Sequence, residues 1–520
     1  MMMLLFALSC STSEVDVEEK DVSIRLLRRL SIDLRGRLPS NEEIVTVRTD
    51  PKRLDELRSV FLSDPDFETQ FMFWMNEVWH TRVDLFTVVA HDFYLNTVED
   101  WYYFNRAVGE EPLRLMAHIV ANDLPWTETV TSDYTLVNPL LEQLFPVVLT
   151  GEHADSEWKP ARYTDGRPPV GVLGTNGLWW RYYTDSLNMN RKRAAAITRL
   201  LLCDDILSRP ISFEASQHAL EETTIAVRED PACATCHSSL DPLASSMFGF
   251  YWLEEGNPLE ALYYHPEREQ IGKEMIGVAP AWYGQPVNSF AEIGLHIAAD
   301  SRFRKCAVET VAKVLLRRDF NAADYPTMRR LLEEFEGNQL IVKPLIESVS
   351  RLPEYQTVYP DTEDYRSPKM VTPYQLAAIL EDLTGETWEY DTPLVDDLFR
   401  IMAGGVDGEK SFSPQLFPSI TTSLVFKRYA QDVATKIVNT SFDSGTGLLR
   451  YVHQFSQPSY VEFEQQLGEL RWRLHGTEPT DEWRTEITAL WQDVYDANGA
   501  KTAWTAVLSA MLQDLDFVTY

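Results

Sequence analysis

The chain has 520 residues, of which 44% are hydrophobic and 12% aromatic, and its 79 acidic against 47 basic side chains give a net charge of −32. At roughly 150 residues per domain, this length predicts two to four folded domains, and the aromatic content excludes a disordered chain. The negative charge excludes nucleic acid and an anionic membrane surface as partners, because phosphate binding needs a basic patch. A charged partner would therefore present a cationic face.

The N-terminus is a short apolar run, residues 1–9, that ends in small residues directly before Cys10. It resembles the end of a bacterial lipoprotein signal peptide, in which the cysteine is lipidated. We predict a signal or anchor segment with a linker over 1–19, lipidation at Cys10, and a location in the periplasm or at the cell surface, as in an outer-membrane lipoprotein. The alternative is a frayed apolar N-terminus. No other stretch approaches the ~18 uninterrupted apolar residues of a spanning helix.

Helical periodicity dominates residues 20–150, which we predict to form an N-terminal helical domain. Ser40, followed three residues later by Glu43, is a helix-start signal. Helices are predicted over 22–34, 54–62, 67–79, 98–108 and 112–124. His80, His91 and His118 have no ligand-like spacing, so they are interpreted as structural.

The composition changes between residues 146 and 185, where Gly, Pro and Tyr are frequent and 165–169 reads as a turn. We predict loop here and a domain boundary near residue 150. The next predicted helix, over 189–203, is basic where the whole chain is acidic, through Arg191, Lys192, Arg193 and Arg199. One interpretation is a solvated helix face. The other is that these residues pair with the carboxylates of a bound cofactor, because guanidinium groups bind carboxylates well.

A Cys-Ala-Thr-Cys-His pentad in mid-chain is the attachment pattern of a c-type haem. Cys233 and Cys236 are spaced to add to two vinyl groups on one edge of a porphyrin, and His237 is then placed to ligate the iron. Pro231 and Pro242 predict loop on both sides, which disfavours a thioredoxin-like pair at a helix start. A zinc site would need further Cys or His at close spacing. We predict one covalently attached haem c, with a zinc site or a disulfide as alternatives.

The iron of a low-spin electron carrier would take a second axial ligand, Met or His. The candidates after the motif are Met247, His265, Met275 and His296. Met275 is preferred because it lies in a loop-like stretch at a spacing that small cytochromes allow, whereas Met247 is predicted to pack in the core. The predicted metal ligands are therefore His237 and Met275.

Two further cysteines, Cys203 and Cys306, lie in amphipathic helical patterns on either side of the haem motif. Haem c is attached outside the cytoplasm, where disulfides persist. We predict a disulfide between them that closes the motif-bearing segment. Two buried thiols in helix cores are the alternative.

The residues around the motif resemble a cytochrome-c-like family first described in secreted planctomycete proteins. The resemblance is carried by the GVLGTNG run at 171–177, the basic stretch 190–203, the haem segment 231–244, a companion-module opening at 30–40 and a closing helical module at 290–318. It covers about residues 20–355. It implies a periplasmic or surface haem protein of uncharacterised role and no established reaction.

The last segment, 356–520, contains no haem motif, and we predict it to be a C-terminal helical accessory domain. Its helices are predicted over 373–383, 424–438, 460–474 and 482–495. Three stretches, 61–67, 349–355 and 511–517, share a helix end followed by an acidic residue and an aromatic one.

The predicted fold class is mainly α, a multi-domain helical protein with a cytochrome-c-like haem domain over 151–355. No catalytic motif is present, and the adjacent Glu221 and Glu222 do not face each other on a helix, so they are interpreted as a solvated helix end or linker. The first hypothesis is an exported, lipid-anchored monohaem cytochrome that transfers single electrons to or from a redox partner protein. The second is a helical envelope binding or scaffold protein with structural haem or none. The third is a haem enzyme such as a peroxidase, which needs an open, polar distal position.

Overall fold

The computed structural model describes residues 12–151, 156–209, 231–253, 257–358, 369–388 and 397–520. The chain forms two compact units whose segments alternate along the sequence. The terminal unit comprises Met1–Gln70, Ser350–Val406 and Ser413–Tyr520, and the central unit comprises Phe71–Val349 and Asp407–Phe412. These bounds differ from the four predicted segments, because the terminal unit joins the first part of the chain to the last.

The fold is mainly helical, as the sequence predicts. The helices of the first half are α1 Thr12–Arg35, α2 Asn41–Thr49, α3 Arg53–Leu62, α4 Pro65–Trp79, α5 Val98–Ala121, α6 Glu128–Thr131, α7 Pro139–Leu144, α8 Asn176–Arg181, α9 Arg191–Leu202 and α10 Pro231–Ser245. The next group is α11 Pro258–Leu262, α12 Gly272–Ile276, α13 Phe290–Ala299, α14 Ser301–Leu316, α15 Tyr325–Gly337, α16 Val342–Ser350 and α17 Pro353–Gln356. The last are α18 Pro373–Thr384, α19 Asp397–Met402, α20 Ile420–Ser441, α21 Val461–Leu470, α22 Asp481–Gln513 and α23 Leu515–Val518.

Two small antiparallel sheets interrupt the helices of the central unit. Strands β1 Thr135–Val137, β2 Val147–Leu149 and β3 Lys159–Tyr163 form the first, with β3 in the middle and Leu136 paired with Pro160. Strands β4 Ala281–Trp282 and β5 Gln285–Pro286 form a hairpin. The prediction that 146–185 is loop is therefore wrong for β2, β3 and α8. Strands of three to five residues are too short to establish a period of two against Gly and Pro.

In the described part of the chain, no helix combines the length and the apolar character needed to cross a membrane.

The core of the central unit is built around α5, whose buried face packs against α8 and β1. Two helices were predicted here, separated before Pro112, but the structure has one helix that continues through it. Pro112 has no N–H to donate to the carbonyl of Val108. Gly177 of α8 approaches that carbonyl so closely that a Cβ atom there would lie 2.0 Å from its oxygen. Only glycine allows α8 to pack on α5 at this point.

Two adjacent carboxylates of α5 are fully buried. Glu110 accepts hydrogen bonds from Arg106 at 3.1 Å and Arg114 at 2.9 Å, and Arg82 lies 3.5 Å away. Burial alone would raise the pKa of Glu110, but the three guanidinium groups outweigh it and lower the pKa to about 2. Glu111 accepts its hydrogen bonds from neutral donors instead, and Arg167 is its main charged neighbour, so burial dominates and raises its pKa.

The terminal unit is organised around α1, which packs against α2 and α3. Ser40 and Glu43 form the predicted capping box at the start of α2. The aromatic residues of the three similar helix ends, Phe67, Tyr355 and Phe517, are each at most 2% exposed. Each lies in the first turn of the helix that follows a helix end. The sequence pattern therefore marks the same packing arrangement three times.

A buried polar cluster holds this unit together at Asp33 of α1. Its carboxylate accepts hydrogen bonds from the hydroxyl groups of Tyr355 and Tyr520, both at 2.8 Å, and from Lys369 Nζ at 2.5 Å. The side chains of Asp33 and Lys369 are 3% and 5% exposed. Since buried charges are tolerated only when paired and hydrogen-bonded, the cluster fixes how these three chain segments meet.

Candidate haem-attachment site

The haem motif lies on a helix, α10, and not in the loop that the sequence predicts. Pro231 is the first residue of the helix, where its missing N–H costs nothing. Pro242 lies inside the helix, and the carbonyl that loses its partner is that of Ser238, an exposed residue that water can reach. Water can therefore replace the hydrogen bond that Pro242 removes.

The helix presents the motif residues together on a partly open surface. Residues three apart in an α-helix share a face, so Cys233 and Cys236 point to the same side, one turn apart. Both are half-buried free thiols, and His237 is 26% exposed. The Sγ atom of Cys236 lies 3.8 Å from the carbonyl oxygen of Ile206.

The second half of α10 anchors the motif in the core of the central unit. Leu240, Leu243 and Ala244 are buried, and the helix packs against α9, α12 and β4. At Gly272, the first residue of α12, a Cβ atom would lie 2.0 Å from the carbonyl oxygen of Ser245. The close packing of α12 at the end of α10 therefore requires glycine.

A carboxylate orients the histidine of the motif. Nδ1 of His237 lies 2.8 Å from Oδ1 of Asp241, one helical turn further on. Arg191 of α9 holds the same carboxylate with two hydrogen bonds, of 2.7 and 3.2 Å. Burial raises the pKa of Asp241, but the hydrogen bonds from His237 and Arg191 outweigh it, and the pKa is lowered.

A carboxylate in this position is typical of a metal-binding imidazole. A ligating histidine usually donates its other ring N–H to a carboxylate, which fixes the tautomer and the ring orientation. With Nδ1 held by Asp241, Nε2 is the nitrogen available to a metal.

Three exposed apolar side chains lie on segments that neighbour the motif-bearing helix. Leu207 is 71% exposed, Met275 of α12 is 40% exposed and Tyr283 of the β4–β5 turn is 37% exposed. Leu207 follows Ile206, whose carbonyl meets Cys236, while α12 and β4 pack on α10 itself. An apolar ring system attached at the two thiols would cover such surfaces. The two thiols and the oriented imidazole are the groups that a c-type haem would use here.

A zinc site fits less well. Among the described residues, no group of three or more His, Cys, Asp or Glu side chains is close enough to hold a metal ion. Structural zinc sites need four such ligands. The two thiols and His237 thus lack the partners that zinc would require in this part of the structure.

Cys203 and Cys306 form a disulfide, with Sγ atoms 2.06 Å apart and Cα atoms 5.2 Å apart. It joins the end of α9 to α14 and closes 103 residues of chain that include the haem motif. These are the two cysteines that the sequence analysis pairs.

The structure separates the candidates for the second iron ligand. Met247 is fully buried in the core, as predicted. Both ring nitrogens of His265 are occupied, Nε2 at 3.1 Å from the Glu260 carbonyl and Nδ1 at 3.3 Å from Glu267. Met275 is exposed on helix α12, which packs against α10, so the prediction that it lies in a loop-like stretch is wrong. His296 is half-buried in the last turn of α13. Met275 as the second ligand stays a prediction.

The basic helix α9 is not the solvated face that one interpretation proposed. Arg193 is fully buried and donates to the carbonyls of Tyr182, Phe250 and Trp179, and burial lowers its pKa to about 9. Arg191 pairs with Asp241. Tertiary packing determines where these side chains lie, and it cannot be read from the periodicity of the sequence.

Two predictions fall on residues outside the described part of the chain. Cys10, the predicted lipidation site, is one, and the Glu221–Glu222 pair is the other. The three histidines interpreted as structural do make ordinary polar contacts. His80 lies 3.2 Å from the Phe412 carbonyl, His91 lies 2.6 Å from Asn96, and His118 lies 3.2 Å from Asn122.

Sequence reasoning missed Asp241 as the partner of His237. The signal was available, because a histidine and an aspartate four residues apart face each other on a helix. Because the sequence around Pro242 was predicted to be loop, this helical pairing was not expected.

No protein-family model, no curated protein and no solved structure matches this chain. The resemblance to the cytochrome-c-like family of secreted proteins therefore stays a prediction that rests on the motifs alone.

Proposed function

We propose that the chain is an exported monohaem c-type cytochrome-like protein that transfers single electrons. Haem c would be held by thioether bonds at Cys233 and Cys236, with His237 as one axial ligand and Met275 as the other. The observation that carries the proposal is the carboxylate at Nδ1 of His237, 2.8 Å away, beside two thiols on the same helix.

Different residues would attach the haem and set its redox potential. The two thiols fix the position of the haem, and Asp241 keeps the imidazole in one tautomer while Arg191 holds Asp241 in place. Haem iron bound there would supply a one-electron redox centre. Leu207 and Tyr283 would shield it from water, which is one of the factors that set its potential.

The partner is proposed to be a redox protein with a cationic docking face. The net charge of −32 favours such a partner, because charge complementarity speeds encounter and excludes acidic proteins. Lipidation at Cys10 would place the chain at the periplasmic face of the outer membrane or at the cell surface.

The test is production of the full exported chain with a cytochrome c maturation system. We expect denaturing mass spectrometry to find one haem covalently bound, and the reduced-minus-oxidised spectrum to show a sharp low-spin α band. C233S/C236S is expected to lack both signals. Unmodified or zinc-bound thiols in the exported wild-type chain would contradict the proposal.

The axial ligand is tested separately. M275L is expected to retain covalent haem but lose the low-spin spectrum and bind cyanide, while M247L, a change in the buried core, is expected to keep the low-spin spectrum. If M275L stays low-spin, Met275 is not the ligand. A wild-type spectrum that cyanide or peroxide alters would favour the peroxidase-like hypothesis instead.

A second candidate function, a helical binding protein, is favoured by an apolar groove of about 480 Å³ in the terminal unit. Ile420, Leu424 and Leu515 line it and are 84%, 64% and 63% exposed. Exposed apolar patches of this kind mark protein contact sites. If the exported chain carries no haem, this candidate remains.

A further inference from the structure

The central unit contains a cavity of about 520 Å³ that is lined by cationic side chains. The cations Arg181 of α8 and Lys192 and Arg199 of α9 face it, together with the uncharged side chains of His80, Ala195 and Ala196. In a chain with 79 acidic and 47 basic residues, such a concentration of positive charge needs an explanation.

These cations have no carboxylate partner in the part of the chain that the structure describes. Arg181 donates to the carbonyls of His80 at 2.6 Å and Gly408 at 2.5 Å, and Arg199 donates to the hydroxyl of Tyr182 at 2.9 Å. Lys192 lies over the ring of Tyr183, 4.2 Å from its centre. Most other arginines described in the central unit pair with Asp or Glu.

Two carboxylates also line the cavity but do not neutralise it. Asp205 caps the backbone N–H of Leu207 at 3.1 Å, and Glu409 is the other acidic side chain of the lining. The lining thus carries three cations against two carboxylates. Burial, and then Arg199 and Arg181, lower the pKa of His80 to about 4, so this side chain is neutral near pH 7. The pKa of Lys192 is also lowered, first by burial and then by Arg181, against the opposing charge of Asp185.

The cavity adjoins the haem-attachment site. Asp205 and Leu207 lie on either side of Ile206, whose carbonyl oxygen is 3.8 Å from Sγ of Cys236. Helix α9 contributes residues to both the haem-attachment site and the cavity. Arg191 binds Asp241 on α10, and Lys192 and Arg199 face the cavity.

We infer that this cavity binds carboxylate groups, with Lys192 and Arg199 as the binding cations and Arg181 as a fixed positive wall. The carboxylates could come from two sources, the propionates of the attached haem or a free small carboxylate. If the carboxylates are the haem propionates, the inference rests on the proposed haem attachment. If they belong to a free small molecule, it does not.

The first arm of the test uses the full exported chain as C233S/C236S, which cannot attach haem but keeps Cys203 and Cys306. Calorimetric titration with succinate is expected to show binding. Adding K192Q or R199Q is expected to weaken it about tenfold or more, the usual effect of removing one charge-assisted hydrogen bond. K305Q, which removes an equal charge from α14, is expected to leave binding unchanged, and circular dichroism checks that each variant is folded.

The second arm uses the haem-loaded wild-type chain and identifies the source. If propionates fill the cavity, succinate no longer binds, and K192Q and R199Q lower the reduction potential relative to K305Q, because losing a positive charge disfavours the added electron. If the site serves a free carboxylate, the loaded chain still binds succinate and the potentials are unchanged. Either result supports the inference.

The inference is overturned if the C233S/C236S chain does not bind succinate and, in the loaded chain, K192Q and R199Q shift the potential no more than K305Q. If no haem attaches at all, the proposed function fails, and the succinate titration still decides this inference by itself.

Discussion

His237 and Asp241 lie one turn apart on the same helix, and 2.8 Å separates Nδ1 of the imidazole from Oδ1 of the carboxylate. The carboxylate is 4% exposed and is itself held by Arg191, so it cannot turn away. A histidine that only filled space on a half-exposed helix would need no such support. The arrangement makes the pair the most direct place to test the haem proposal.

D241N is expected to keep the covalently attached haem, because both thiols are unchanged, and to raise the reduction potential. The lost negative charge no longer increases the electron donation of the imidazole to the iron. The variant also leaves Arg191 without its partner, at a cost of about 1–3 kcal/mol in the free energy of unfolding. A redox titration measures the first effect, with D319N, an exposed carboxylate, as the control. An unchanged or lower potential in D241N would contradict the prediction.

The disulfide between Cys203 and Cys306 is expected to stabilise the central unit by about 3–5 kcal/mol, because it closes a loop of 103 residues and restricts the unfolded chain. Urea unfolding of C203S/C306S measures the loss. Reductant is expected to destabilise the wild-type chain by a similar amount and to leave C203S/C306S unaffected. Equal unfolding midpoints for the two proteins would show that the bond contributes nothing.

E110Q is expected to destabilise the central unit by about 3 kcal/mol or more near neutral pH, because it leaves the guanidinium groups of Arg106 and Arg114, 23% and 10% exposed, without their counter-charge. The pKa of Glu110 is lowered from 4.5 to about 2 on folding. Its stabilising effect is therefore present above pH 4.5 and is lost as the pH falls towards 2.

Thermal unfolding followed from pH 7 down to pH 2 checks the sign of this effect. The difference between the wild-type chain and E110Q should narrow with acidification, while E333Q, at a position 63% exposed, should follow the wild type throughout. A difference that is constant with pH would mean that the Glu110 carboxylate is not the source of the stabilisation.

K369M is expected to destabilise the terminal unit by about 3–5 kcal/mol, because it leaves the buried carboxylate of Asp33 without its counter-ion. Y355F removes one hydrogen bond to the same carboxylate and should cost less, about 1–3 kcal/mol. Chemical denaturation of both variants gives the comparison. If Y355F proved as damaging as K369M, the hydroxyl and not the charge would dominate the cluster.

The sequence predicts the helical class of the fold well, since the spacing of apolar residues reports which face of a helix is buried. The capping box at Ser40 and the buried aromatic at Phe517 follow from local patterns that need no tertiary information. Two of the errors lie at Pro112 and Pro242, where local rules predict a break. At Pro242 the carbonyl that loses its partner belongs to the exposed Ser238, whereas α5 continues through Pro112 in the core, where it packs against α8 and β1.

Only the Cys-x-x-Cys-His residues of the candidate site could be predicted from the sequence. The two thiols and the histidine are adjacent in sequence, so a motif identifies them. The pair of Arg191 and Asp241 depends on how α9 packs on α10, and the cavity of Lys192 and Arg199 also needs residues as distant in sequence as His80 and Glu409. Such contacts leave no periodic signal.

The bond between Cys203 and Cys306 makes a covalent ring of everything between those two positions. A protease that cuts the backbone at any single point inside this ring leaves both pieces tied together, and the porphyrin-binding cysteines stay attached to the rest of the molecule. A nicked protein would therefore migrate as one species on a non-reducing gel and separate into two only after reduction.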